Sequence, residues 1–260
     1  MSKDLTPAQL IAYINDSGIE RSQRPWKDTL MLGVMAGVYI ALGGAFYTLV
    51  SAGSSWGFGP SRFLNGMAFS IGLMLVVMVG AELFTGNAMI MAVSLANKQI
   101  TLRKLMRNWS LVYVGNFIGS IFVAYLVANS AILEASEAVA LHKAVAIANA
   151  KASLTMNEAF FRGILCNMFV CLAVAIAYVA QNVSGKVLGI LFPISAFVAM
   201  GFEHSVANMY LIPLGMMKGA DVTVMDFIHN LIPVTIGNII GGMLVGLPYW
   251  YIFLKKKQGA

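Results

Sequence analysis

Charged residues are scarce in this sequence. Asp, Glu, Lys and Arg make up only 11% of its 260 residues, whereas 59% are hydrophobic; a soluble domain carries about 25% charged residues. Such a composition requires apolar surroundings and indicates an integral membrane protein. The formal net charge of +6 does not indicate nucleic-acid binding, because the basic residues lie in short loops between apolar runs, where they act as topology signals.

Cysteine is also rare, and an apolar leader is missing. The two cysteines, Cys166 and Cys171, lie in one apolar run and would point to different faces of a helix. We expect small buried residues rather than a disulfide or a metal site, and nothing in the sequence implies a cofactor. The first 28 residues are polar and lack the core of a cleavable signal peptide, so the first spanning helix is expected to direct insertion.

Six apolar runs are long enough to span a membrane core of about 30 Å. They lie at about 29–50, 63–95, 109–128, 160–181, 187–217 and 231–254. The second and fifth runs are too long for one helix, and polar segments interrupt them at Gly80–Asn87 and Gly201–Asn208. The predicted fold is therefore all-α, with six transmembrane helices of which the second and fifth are broken.

The two polar segments indicate an internal duplication. Both read G-x-E-x-x-x-x-N at an offset of 121 residues (80 to 201), and Gly115–Gly119 matches Gly237–Gly241 at an offset of 122. Each half holds three spans, an odd number, so the second copy must enter the membrane inverted, with the functional site at the repeat interface. We place repeat one at about 29–128, a connector with an Ala-rich, helix-compatible stretch at 129–159, and repeat two at about 160–254.

The distribution of Lys and Arg predicts the orientation. If the N-terminus is cytoplasmic, 12 of the 17 basic residues lie on that side, in agreement with the positive-inside rule. These twelve are Lys3, Arg21, Arg24, Lys27, Lys98, Arg103, Lys104, Arg107, Lys186, Lys255, Lys256 and Lys257. We therefore predict a multi-pass protein of the cell membrane with a cytoplasmic N-terminal segment (1–28), a channel domain (29–254) and a cytoplasmic tail (255–260).

Two carboxylates stand inside the predicted bilayer. A Glu at the bilayer centre costs about 2.5–3.5 kcal/mol, so Glu82 and Glu203 must have internal partners. We expect them to support the broken helices by accepting hydrogen bonds from exposed backbone N–H groups; contact with a permeant or a proton relay is the alternative. Asn87 and Asn208, five residues after each Glu, are expected to satisfy backbone groups at the breaks.

His204 is the sharpest functional candidate, because an imidazole can exchange a proton near neutral pH and donate hydrogen bonds to an anion. Thr85 lies in the matching segment of the other repeat and could offer its hydroxyl from the opposite side. Asn116 and Asn238 occur in Gly-Asn-x-Ile-Gly motifs, and Asn167 lies in the fourth span. For these amides, packing is favoured over lining a pore. Apolar gates are a further possibility, although the pattern alone favours packing for Phe69, Leu73, Leu83, Phe84, Val170 and Phe197.

The segments Gly80–Asn87, Gly201–Met209 and Ile232–Asn238 closely resemble the formate/nitrite transporter family, over about residues 25–254. The resemblance implies an aquaporin-like fold that assembles as a homopentamer in the inner membrane, with one pore in each protomer. It gives His204 the role of the central pore histidine and Thr85 that of a threonine on a flexible loop.

Further roles also come from the resemblance alone. Lys151 resembles a lysine that lends positive potential near the pore, and Asn167 and Asn238 match pore-lining asparagines. The cytoplasmic constriction would consist of Leu73, Phe84 and Val170, and the periplasmic one of Phe69, Leu83 and Phe197. The run Met209–Met216 looks most like formate members of the family, and nitrite or hydrosulfide are the alternative substrates.

Three other classes of protein fit less well. An intramembrane enzyme would have to use His204 and Ser205, but adjacent residues rarely face each other and no orienting carboxylate is evident. A structural or receptor protein would not explain two matching breaks. A neutral-solute pore of the aquaporin type would carry a pair of Asn-Pro-Ala motifs, which this sequence lacks, and Lys151 and His204 favour anions. We therefore predict a channel or transporter for a small anion.

Overall fold

The computed structural model describes residues 5–255, except for the side chain of Ser136. Over this range the secondary structure is entirely helical, and the predicted positions Lys3, Lys256 and Lys257, with the rest of the tail after residue 255, lie outside it. The helices are α1 (Pro7–Gln23), α2 (Trp26–Ser51), α3 (Phe58–Val79), α4 (Phe84–Ala96), α5 (Leu102–Asn129), α6 (Ala135–Ala152), α7 (Met156–Val179), α8 (Val183–Met200), α9 (Ser205–Met217) and α10 (Val224–Trp250). A π-helical turn, Tyr251–Lys255, follows α10.

Six of these helices are long and apolar enough to cross a membrane, which confirms the predicted number of spans. They are α2, α3, α5, α7, α8 and α10. The shorter apolar helices α4 and α9 complete the second and fifth runs. Both runs are broken where the sequence predicts.

A left-handed glycine ends the first half of each broken run. Gly80 follows α3 with φ of 91°, and Gly201 follows α8 with φ of 73°. Glycine adopts this conformation without the steric cost that a Cβ imposes, which is why it terminates helices. Three residues without helical structure then precede α4 and α9, so each break exposes backbone groups that other residues must satisfy.

Each repeat is preceded by a helix that is not among the candidate membrane spans. The polar N-terminal segment forms α1, which begins with a capping box between Thr6 and Gln9 and buries Ile11 and Ile14. The Ala-rich part of the connector forms α6, as the sequence allows. Helix α1 packs on α4, and α6 packs on α9. The two helices therefore occupy equivalent places against the second halves of the broken spans.

Glycines let the spanning helices of each half approach closely. A Cβ on Gly37 of α2 would overlap the carbonyl oxygen of Asn116 on α5, and a Cβ on Gly115 would lie 2.6 Å from the carbonyl oxygen of Leu30. In the other half, Gly163 of α7 and Gly237 of α10 make the same kind of contact. Small residues at such crossings are typical of membrane helix pairs.

We expect Gly37→Ala to destabilise the protein by about 1–3 kcal/mol, the usual cost of overpacking. The added methyl group would push α2 away from Asn116, whose side chain supports the break before α4 (described below). Gly59→Ala is the matched control, because a Cβ at Gly59 has nothing within 4 Å. Thermal unfolding of the purified protein in detergent measures both variants, and equal midpoints would contradict the close-packing argument.

Candidate functional site

The two breaks bring Thr85 and His204 together. Thr85 lies in the first turn of α4, and His204 immediately precedes α9. Thr85 Oγ1 and His204 Nε2 are 2.9 Å apart, and both residues are buried. Two residues from different repeats thus form one hydrogen-bonded pair. The sequence predicts the Thr85 hydroxyl on the side opposite His204 but does not predict a bond between them.

The surroundings of His204 assign its tautomer. Its Nδ1 accepts a hydrogen bond of 3.0 Å from the backbone N–H of Ala207, which caps the N-terminus of α9. A nitrogen that accepts carries no proton, so the neutral ring holds its proton on Nε2 and donates it to Thr85 Oγ1. An imidazolium would have a proton on both nitrogens and would lose the bond from Ala207.

Two cavities approach this pair from opposite sides. One has a volume of about 400 Å³ and is lined by His204, Glu203 and residues of α6; we call this side the α6 face. The other has a volume of about 230 Å³ and is lined by Leu83, Gly86 and residues of α1; we call this side the α1 face. Because Leu83 and Gly86 flank the Thr85 segment, the Thr85–His204 pair lies between the two cavities.

Aromatic rings narrow the α6-face cavity next to the histidine. Phe69 and Phe197 line this cavity, and their ring centroids are 5.9 Å apart. Phe197 also stacks on His204 with 6.2 Å between centroids. The structure thus brings together two of the three residues that the resemblance assigns to the periplasmic constriction.

The remaining predicted gate residues are arranged differently from the resemblance. Leu83 lines the α1-face cavity together with Leu73, rather than joining Phe69 and Phe197. Phe84 packs on α5, with ring centroids 4.8 Å from Tyr113 and 6.1 Å from Trp109. Val170 is buried in the core on α7. Neither Phe84 nor Val170 is among the lining residues of either cavity, so a constriction formed by Leu73, Phe84 and Val170 stays a prediction.

The carboxylate of Glu203 is held by side chains. Its Oε1 accepts a hydrogen bond of 2.8 Å from Lys151 Nζ on α6, and its Oε2 accepts one of 2.7 Å from Asn208 Nδ2. Glu82 has the equivalent arrangement with helix α1: it accepts from Arg21 at 3.2 Å, from Arg24, and from Asn87 Nδ2 at 2.6 Å.

The predicted backbone partners of the two carboxylates are therefore not the ones found. Cations from α1 and α6, the two helices that do not span the membrane, compensate the buried charges. A buried carboxylate is tolerated when it is paired and its remaining lone pairs are satisfied. Lys151, which the resemblance alone brought forward, is thus the ion-pair partner of Glu203.

Asn116 and Asn238 hold the backbone at the two breaks. Asn116 Oδ1 accepts a hydrogen bond of 2.9 Å from the N–H of Phe84, and Asn238 Oδ1 accepts one of 2.9 Å from Ser205. The amide nitrogen of each Asn donates to two backbone carbonyls of its own repeat. The polar atoms of Asn238 are therefore occupied by the break, although the resemblance placed this residue in the pore lining.

Asn167 has a free acceptor beside the central pair. Its amide nitrogen donates to the carbonyl of Thr85 at 3.0 Å and to that of Asn238 at 2.5 Å. Its Oδ1 is buried without a partner among the described residues. A buried acceptor without a partner is costly, so Asn167 Oδ1 is a polar group beside the central pair whose hydrogen-bonding capacity is unused among the described residues.

Sequence reasoning missed a second pair of asparagines. Asn87 Nδ2 donates to Asn108 Oδ1 at 2.9 Å, and Asn208 Nδ2 donates to Asn230 Oδ1 at 2.8 Å. Asn108 and Asn230 are themselves related by an offset of 122 residues (108 to 230), the signal that would have found them. Their bonds extend each Glu–Asn pair to α5 and α10.

Six spans, two broken helices that meet at a buried polar pair, and cavities on both sides of that pair define a membrane channel or transporter for small solutes. Residues 8–251 match the family described as formate/nitrite transporter. The chain belongs to this family, which confirms the resemblance found in the sequence. Its members are channels and transporters, which excludes the intramembrane enzyme.

Relatives and solved structures agree over nearly the whole chain. The probable formate transporter of Methanothermobacter thermautotrophicus is 42% identical over 253 residues, or 91% of this chain and 92% of that protein. The formate channel FocA of Escherichia coli strain K12 is 37% identical over 276 residues, or 98% of this chain and 96% of that protein.

Two solved structures share the fold. A pentameric formate channel with formate bound superposes with a TM-score of 0.79 at 35% identity, over 88% of this chain and 98% of that chain. An FNT family ion channel superposes with a TM-score of 0.84 at 30% identity, over 93% of this chain and 98% of that chain.

Proposed function

We propose that the protein is a homopentameric formate channel of the cell membrane. The observation that carries the proposal is the buried Thr85–His204 pair, with a bond of 2.9 Å, between two cavities. The relatives named as formate transporters and channels support formate as the substrate. The pentameric formate channel of the same fold supports the assembly.

His204 lowers the barrier for crossing the apolar centre. Formate that enters the α6-face cavity meets Phe69 and Phe197, where passage as a bare charge is costly. A protonated His204 gives a proton to formate, so that formic acid crosses and a neutral ring remains. The alternative is that the imidazolium pairs with formate and a net charge moves. The hydrogen bond from the Ala207 N–H to His204 Nδ1 favours proton transfer, because only the neutral imidazole can accept this bond.

Thr85 and Asn167 complete the path for the neutral acid. The hydroxyl of Thr85 exchanges its bond to His204 for one to the substrate. The unpartnered Oδ1 of Asn167 accepts from the O–H of formic acid, which formate itself could not donate. Movement of the segment around Thr85 opens the path toward Leu73 and Leu83 at the α1 face.

The α1 face is the cytoplasmic side in this proposal. Lys27, Lys98 and Lys186 lie next to helix ends on that side, among the twelve basic residues that favour a cytoplasmic N-terminus. Both termini are then cytoplasmic, and α6 with the loop between α2 and α3 lies at the periplasmic side.

Uptake by reconstituted liposomes tests the substrate. We expect formate to enter faster than nitrite or hydrosulfide between about pH 5 and about pH 8, the range in which a histidine titrates, and faster than in protein-free liposomes. Faster entry of nitrite or hydrosulfide would overturn the substrate assignment and leave the anion channel. Passage of water or glycerol with exclusion of all three anions would instead favour a neutral-solute pore.

A further inference from the structure

The two cavities carry different charges. The described residues that line the α1-face cavity include two cations, Arg21 and Arg24, and two carboxylates, Glu20 and Glu82. Those that line the α6-face cavity include a single carboxylate, Glu203, and the four cations Arg62, Lys143, Lys151 and Arg162. The α6-face cavity is therefore strongly positive, whereas the α1-face cavity is balanced.

Two of the four cations supply most of this excess. Lys151 is neutralised by Glu203 at 2.8 Å, and Arg162 has Glu158 at 3.9 Å. Arg62 and Lys143 form no ion pair with any of the described residues. Arg62 donates one hydrogen bond of 2.8 Å to the carbonyl of Ala199, which leaves its other N–H groups free.

A third cavity of about 430 Å³ adjoins the α6-face cavity and shares both of these cations. Its wall includes four serines, Ser51, Ser54, Ser55 and Ser61. Ser51 donates to the carbonyl of Thr48 and Ser54 shares a hydrogen bond with Ser61, which leaves the hydroxyl of Ser55 and one proton of the Ser54–Ser61 pair to donate to an oxyanion. Arg62 and Lys143 thus lie at the junction between a hydroxyl-lined entrance and the chamber that contains His204. A substrate that enters from this side passes both cations before it reaches the apolar rings.

We propose that Arg62 and Lys143 form a capture site for small carboxylates at the α6 face, and that the α1 face has no equivalent. The inference rests on the proposed function, since it identifies where the same substrate is first held. Positive clefts with low-dielectric walls concentrate anions and raise their association rates by about 10-fold or more. Entry from the α6 face is therefore steered by charge, and entry from the α1 face is not.

Formate flux in sorted membrane vesicles tests the capture site. Right-side-out and inside-out vesicles that contain the full-length protein are compared at low and high ionic strength, since the Debye length falls from about 30 Å at 0.01 M to about 3 Å at 1 M. For Lys143→Gln we expect KM from the α6 face to rise about fivefold at low ionic strength, with an unchanged maximal rate. The difference should vanish at high ionic strength, and flux from the α1 face should not change.

Two further variants serve as controls. Lys143→Arg keeps the charge and should restore the wild-type KM. Lys218→Gln removes one cation from the same side of the protein. Lys218 is paired with Glu134 at 2.6 Å and lines neither the α6-face cavity nor the third cavity, so the KM of this variant for formate should not change. An equal rise in KM for Lys218→Gln and Lys143→Gln would show a general charge effect and overturn the site.

Arg62→Gln separates capture from a structural role. The guanidinium also lies over the ring of Phe58 at 4.7 Å and bonds the end of α8, so its loss could disturb the helix. Capture predicts a higher KM that salt abolishes. A lower maximal rate at every ionic strength with unchanged KM would reduce Arg62 to a helix contact and overturn the two-residue site. Absence of formate flux in the wild type would instead overturn the proposed function.

Discussion

His204→Ala is expected to lose the pH dependence of formate transport and about 10²-fold of its rate on the acid side of neutrality. Transfer of a proton by a positioned side chain contributes about 10²–10⁴-fold in general, and here it decides whether formate crosses as an anion or as the acid. The alanine also leaves Thr85 Oγ1 without its partner at 2.9 Å and removes the cap on Ala207.

The measurement is formate uptake into liposomes between about pH 5 and about pH 8. His142→Ala and His229→Ala are matched controls, because both histidines are exposed on the described surface and neither is among the residues that line the two cavities at the Thr85–His204 pair; they should behave like the wild type. A His204→Ala variant that retains the wild-type pH profile would contradict the proton-transfer role. Thermal unfolding in detergent verifies that the variant is folded.

Electrical recording distinguishes the two routes for His204. If formic acid crosses, proton and formate move together, so liposomes take up formate while a planar bilayer containing the same protein shows no formate current. If the imidazolium merely pairs with formate, the same flux carries one negative charge for each formate. A formate current in the wild type that matches the chemical flux would exclude proton transfer.

The spans and the breaks could be predicted because bilayer physics constrains them strongly. Length and hydropathy located the ends of the six spans to within seven residues, the largest differences being at the starts of α5 and α10, and the G-x-E-x-x-x-x-N segments marked both breaks. The repeat also predicted a functional site at the interface of the two halves, and the Thr85–His204 bond joins residues from both halves. The features that depend on hydropathy period or on the internal repeat, namely the six spans and the two breaks, could therefore be predicted from the sequence.

The partners of the buried carboxylates were not accessible in the same way. Arg21 and Arg24 lie in a segment that looked merely polar, although the spacing of Thr6 and Gln9 is a capping-box signal that would have revealed α1. Lys151 lies at the end of an Ala-rich helix, and only the tertiary contact between α6 and α9 brings it to Glu203. Long-range ion pairs of this kind leave no local signature.

Two of the predicted gate residues, Leu83 and Phe84, show that a difference of one position in the sequence decides which side chain lines a cavity. Leu83 and Phe84 are adjacent, but Leu83 is the extended residue that precedes α4 and Phe84 is the first residue of the helix. Leu83 faces the α1-face cavity, so Phe84 turns toward Tyr113 on α5. Hydrophobicity cannot distinguish the two positions, because both side chains are buried and only the change from extended to helical backbone between them separates their directions.

Lys151→Met is expected to destabilise the protein by about 3–5 kcal/mol, the usual cost of removing one partner of a buried ion pair. The variant leaves the Glu203 carboxylate buried and without the bond of 2.8 Å to the ammonium. Lys218→Met is the control, since its partner Glu134 is exposed and such pairs contribute little. Unfolding midpoints in detergent should fall clearly for the first variant and stay near the wild type for the second.

The double variant Lys151→Met/Glu203→Gln separates the structural role of Lys151 from an electrostatic one. The introduced glutamine carries no charge and keeps an acceptor for Asn208, so most of the lost stability should return, since a buried ion pair can be replaced by neutral groups at little cost. The pair is neutral as a whole, so removing both members leaves the net charge of the α6-face cavity unchanged, and the KM for formate should remain near the wild-type value. A stable double variant with a strongly raised KM would instead show that the Lys151 ammonium itself attracts the anion, as the family resemblance implies.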